Sequence, residues 1–160
     1  MKKKTILTLL IGLIGLSSFT NPAVSYEQLA FDYFVSRILA TDFKHLSEVE
    51  FKGETEATYS TLGNYKFCLK PEEKLQSLIK AATKDPVYYF EKITYNQVKN
   101  ITITNLKDDS KTAKLFIYHS VRVADNYYVF LAIHQSNEQV SQYVVELNVD
   151  GEVVRYCRMA

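Results

Sequence analysis

The C-terminal half of the chain breaks into four alternating segments, "TAKLFIYHSVRV", "YYVFLAIHQ", "VSQYVVELNV" and "EVVRYCR", joined through "ADN", "SNE" and "DG". Period-two alternation marks strands with one face buried, and connections this short join antiparallel neighbours. Asp150-Gly151 is the strongest hairpin signal among them, because a tight turn needs residues that tolerate positive φ. With the alternating "VKNITITNL" and its connection "KDDSK" upstream, the pattern predicts an antiparallel meander of about five strands.

Two helices and a short strand precede it. Phe31, Phe34, Val35, Ile38 and Leu39 recur at i, i+3, i+4, i+7 and i+8, one face of a helix. Val49 and Phe51 alternate with charged neighbours as a short strand. A second helix opens at Pro71 with Glu72 and Glu73 at its positive end. It carries Leu75, Leu78, Ile79 and Ala82 as a stripe and stops at Asp85-Pro86. The aromatic stretch "VYYFEKITYNQ" fits either a short helix or a covering loop. The fold class is therefore α+β: helix, strand, helix, then a curved antiparallel meander packed on both helices.

The N-terminus reads as an export signal. Lys2, Lys3 and Lys4 precede an apolar run over residues 6–16, and Ala23 and Ser25 supply small residues of an A-x-A-like cleavage site. The run is shorter than the ~20 residues of a membrane span. The expected division is a leader over residues 1–25 and one α+β domain over residues 26–160, located in the periplasm or outside the cell. Membrane contact is then confined to export. Losing three lysines and no acid takes the formal net charge from +1 to −2, which argues against a nucleic-acid partner. In an exported chain the only cysteines, Cys68 and Cys157, are read as a disulfide in preference to two buried thiols.

Extending the register from a two-residue turn at Asp125 and Asn126 places Ala132 opposite His119 and His134 opposite Ile117. Both histidines then share the helix-covered face with Tyr143, with Ser141 nearby, and His119, His134 and Tyr143 become the candidate lining of a ligand pocket. Buried imidazoles near neutrality serve as acids or bases, although polar groups in cores are commonly just hydrogen-bonded. Metal ligation is not expected, since His45, His119 and His134 lack ligand spacing and there is no C-x-x-C or H-x-x-x-H. The other face carries Glu146 directly opposite Arg155, a cross-strand ion pair on a solvated surface. Arg122 and Arg155 are the candidate anion-binding pair.

Nucleophile and phosphate-loop motifs are missing, and no cofactor is implied. The chain has 12 tyrosines and nine phenylalanines but no tryptophan. Tyr88, Tyr89, Phe90 and Tyr95 cluster between the second helix and the sheet, where tyrosine suits a binding surface as well as a core.

The element order, ending in "YVVELNVDGEVVRYCRM", resembles the NTF2-like group, also called SnoaL-like or cystatin-like α+β. That resemblance implies a sheet wrapped around helices with an open end as a pocket. Its isomerase-type members use an aspartate base with a tyrosine and aspartate oxyanion site, which has no counterpart beside His119, His134 and Tyr143. The expected role is a non-catalytic module that binds a small apolar ligand or a protein, a second copy of the chain included. The alternatives are an isomerase- or dehydratase-type enzyme with a histidine base, and a cystatin-like inhibitor.

Overall fold

The computed structural model describes residues 25–58, 72–84, 86–95, 100–107, 111–136 and 139–158. Residues 1–24 of the expected leader, Pro71, Asp85 and Cys68 lie outside them. Helix α1 is continuous through an α-helical stretch, Tyr26–Tyr33, a π-helical stretch, Phe34–Leu39, and a short α-helical end, Ala40–Asp42. Ser25 caps it, its Oγ accepting from the Gln28 N–H at 3.1 Å. The apolar stripe is buried as its spacing predicts, and Ala30 joins it. Helix α2 is Glu72–Lys84 and ends two residues before Pro86.

The strands are β1 (Glu48–Phe51), β2 (Thr102–Asn105), β3 (Ala113–Ile117), β4 (Val121–Val123), β5 (Asn126–His134), β6 (Val140–Asn148) and β7 (Val153–Arg158). They form one sheet in the order β2-β1-β3-β5-β6-β7, with β4 also paired to β5. From β3 to β7 the pairing is antiparallel, as the alternation predicts. The first part is a correction. β1 lies between β2 and β3 and is parallel to both, so "KDDSK" does not close a hairpin and the sheet is mixed.

The helices cover opposite faces, a second correction. Core residues of α1 pack with Leu115, Ile117, Val129, Leu131, Ile133, Tyr143, Val145 and Leu147. Leu75, Leu78 and Ala82 of α2 pack with Val121, Tyr128, Phe130 and Val144 on the other side. The cause is register. The turn uses Ala124 and Asp125, with Val123 opposite Asn126, and not Asp125 and Asn126. Five residues, 135–139, separate His134 from its partner Val140, one more than the four of "SNEQ", residues 136–139, through which the predicted register runs. A one-residue slip turns every side chain beyond it to the other face. β5 is therefore inverted relative to the prediction, and both of its faces are buried.

Residues 86–95 form neither helix nor strand. They make a strap that runs antiparallel to residues 53–58, with one bridge between Glu54 and Lys92. Thr55 N–H donates to Glu91 O at 2.9 Å, Thr58 N–H to Val87 O at 3.0 Å, and Ile93 N–H to Gly53 O at 2.9 Å. The Thr55 and Thr58 hydroxyls accept from the Glu91 and Val87 N–H groups at 2.9 and 2.8 Å. At its far end the Gln28 amide of α1 accepts from Thr94 N–H and donates to Thr94 O, each at 2.8 Å.

Candidate functional site

Between β3 and β4 the ladder breaks at residues 118–120, and there His119 turns into the protein. The residue is 2 % exposed. Nε2 lies 2.6 Å from the Tyr89 main-chain oxygen and 3.0 Å from Thr55 Oγ1. A carbonyl oxygen only accepts, so Nε2 carries hydrogen. The Tyr89 ring covers the imidazole edge-on, centroids 4.8 Å apart.

The other ring nitrogen, Nδ1, lies 3.4 Å from Oε1 of Glu27. Glu27 stands in the first turn of α1, 6 % exposed, and the same Oε1 accepts from Ser120 N–H at 2.8 Å. Glu91 completes the cluster: one ligating atom each from Glu27, Glu91 and His119 lie within 4.8 Å of one another. With hydrogen on Nε2, the contact between Nδ1 and Oε1 sets two lone-pair-bearing atoms face to face. A proton or a metal ion between them resolves it.

His134 is elsewhere. It pairs with Lys114, not Ile117, while Tyr118 N–H bonds Phe130 O. The four-residue offset along β5 corresponds to about 13 Å. His134 is exposed as a residue, its ring tilted against Phe116 at 4.8 Å, and partial desolvation by the protein on one side pulls its pKa below the ordinary value. Tyr143 is buried under the opposite end of α1, where its hydroxyl donates to Asp42 Oδ2 at 3.0 Å. Burial, then that hydrogen bond, raise the phenol pKa far above the ordinary tyrosine value. Glu27 and Asp42 stand 15 residues apart in the helix, roughly 22 Å of rise. The grouping of His119, His134 and Tyr143 in one pocket is corrected accordingly. Pockets of about 400 Å³, beside His45, Glu48 and Gln135, and about 310 Å³, beside Thr58, Ala82 and Arg122, take in none of the three.

The arginine pair separates too. Arg122 pairs with Tyr127 and Arg155 with Glu146, on opposite faces of the sheet. The Arg122 guanidinium donates to Ala124 O at 3.1 Å and lies over the Tyr127 ring. Glu146 does stand opposite Arg155, but it is buried under α2 and not solvated. Its Oε1 accepts from Lys74 Nζ at 2.5 Å, Asn126 Nδ2 at 2.6 Å and Tyr128 OH at 2.9 Å, and its Oε2 from Arg155 Nε at 2.5 Å. Burial pushes the Glu146 carboxyl pKa up, but the hydrogen bonds from Lys74, Arg155 and Tyr128 outweigh it and hold it below the ordinary value.

Cys157 is disulfide-bonded, and the only other cysteine, Cys68, lies outside the described residues. No helix among the described residues is long and apolar enough to cross a membrane.

What the strap presents is aromatic. Tyr88, Tyr89 and Phe90 are 73, 67 and 54 % exposed, with Lys52 Nζ 4.4 Å above the Phe90 ring. Neither the strap's tethers nor the carboxylates around His119 emerged from the sequence. One signal was present. Glu27 precedes Phe31 by four residues and Phe34 by seven, so it continues the apolar stripe of α1 with a charge. No protein-family model, curated protein or solved structure matches this chain.

Proposed function

We propose that the chain is an exported, non-catalytic binding module, and that the crest of Tyr88, Tyr89 and Phe90 is the surface that engages a protein partner. The observation that carries this reading is the pairing of exposure with restraint. Three consecutive large aromatic rings face solvent on a backbone hydrogen-bonded to residues 53–58, to α1 and to a buried histidine. Aromatic anchors dominate protein interfaces. A segment ordered before binding loses less conformational freedom when the partner arrives. Enclosure of His119 by Tyr89, Thr55 and Glu27 supports this reading over an enzyme with a free histidine base. The kinship with the NTF2-like group is part of the proposal and rests on element order.

The test replaces Tyr88 with a photo-crosslinking amino acid in the full chain, expressed in its own cell. Lys80, exposed on α2, serves as the control position. The reading expects a discrete crosslinked protein from position 88 alone, lost when Phe90→Ala is added. The same products from both positions, or none from position 88, overturn it.

A further inference from the structure

We propose that His119 Nδ1, Glu27 and Glu91 form a binding site for a divalent metal ion of the zinc class. The inference does not rest on the docking reading.

Distance separates the two ways of filling the gap between His119 and Glu27. A charge-assisted N–H···O bond closes to about 2.7–2.9 Å, whereas Nδ1 and Oε1 stand 3.4 Å apart. Zinc bonds of about 2.0–2.2 Å place neighbouring tetrahedral ligand atoms about 3.3–3.6 Å apart. The observed separation is that of two ligands sharing an ion.

The surroundings agree. A metal-bound histidine commonly donates its remaining N–H to a backbone carbonyl, which fixes the tautomer and turns the ring. His119 does so through Nε2 to Tyr89 O at 2.6 Å. Glu27 is held in turn by Ser120 N–H. Glu27 and Glu91 together supply the two negative charges that balance a dication. The Glu91 carboxylate makes no hydrogen bond or ion pair among the described residues, and the residue is half-buried. It is therefore at liberty to swing inward from within 4.8 Å of the other two to the separation of about 3.3–3.6 Å that a shared zinc-class ion sets, a movement of at most about 1.5 Å that a side-chain rotation supplies. A fourth position is left for water or for a partner's side chain.

The three ligands come from α1, the break before β4, and the strap. The ion thus ties the strap to the sheet and the helix at one point, beside the Tyr89 ring that packs on His119.

The experiment titrates Co²⁺, then Zn²⁺, into chelator-stripped, dialysed full-chain protein. Visible absorption and melting temperature are both followed. The expected result is one equivalent of Co²⁺ bound with the intense bands of a tetrahedral site, displaced by Zn²⁺, and a melting temperature that rises with either metal. Glu91→Gln, which removes no hydrogen bond, should weaken binding at least tenfold and leave the metal-free melting temperature unchanged. Glu54→Gln, an acid nearby that pairs with Lys52, should bind as the wild type does. No saturable binding by the folded wild type, or equal binding by Glu91→Gln, overturns the site.

Discussion

The Nε2 atom of His119 lies 2.6 Å from the main-chain oxygen of Tyr89. One residue in a break of the sheet thereby fixes a segment that has no secondary structure of its own. A loop with exposed aromatic rings normally pays ordering entropy on binding. Here hydrogen bonds to His119, Thr55, Thr58 and Gln28 have already restrained its backbone.

His119→Ala strips the imidazole N–H from Tyr89 O and Thr55 and leaves a cavity between Tyr89, Thr55 and Glu27. Leaving buried polar groups unsatisfied costs about 1–3 kcal/mol each, so the substitution should destabilise by about 3 kcal/mol. Urea unfolding followed by circular dichroism measures it. Tyr88→Ala, at an exposed ring, should stay within about 0.5 kcal/mol of the wild type.

Glu146 is the most heavily committed charge among the described residues. Glu146→Ala strands Lys74 and Arg155 beside the α2 core and should cost about 3–5 kcal/mol. Its carboxyl pKa is depressed in the folded state, so the ionised form contributes stability above the ordinary carboxylate value. That contribution is lost as the pH falls through the lower, folded value. The stability difference between wild type and Glu146→Gln should therefore be constant near neutrality and shrink below about pH 4.5, as thermal melts across that range would show.

Ala124 begins the turn between β4 and β5 with φ +53°, a left-handed conformation that disfavours a Cβ. Ala124→Gly should raise stability by about 0.5–1 kcal/mol, the released strain exceeding the added chain entropy. A lowered denaturation midpoint would contradict this account of the turn.

Ser25 caps α1, and the expected cleavage follows it directly. On the proposed export, mass spectrometry of protein recovered from outside the cytoplasm should give Tyr26 as the first residue. A chain that starts at Val24 should then be more stable than the processed one by about 1 kcal/mol, because it retains the cap.

The apolar stripes of both helices, the antiparallel run from β3 to β7 and the pairing of Glu146 with Arg155 were legible, since all are periodic or local. Alternation tells which residues share a face but not which strand lies beside which, so the insertion of β1 between β2 and β3 was invisible. The faces invert because each of two turns differs by one residue from what its sequence suggests, at Ala124 and at residues 135–139. The site around His119 was illegible for another reason. Glu27, Thr55, Glu91 and His119 come from four separate stretches, and the loop that unites them has no period to read.

The most direct test of the restrained strap is amide hydrogen exchange at Thr55, Glu91 and Ile93 in wild-type protein. All three N–H groups join the strap to residues 53–58. The account predicts exchange at least about a thousandfold slower than in a free chain, the protection expected of a structured segment. Exchange at the free-chain rate, while β5 and β6 remain protected, would contradict it.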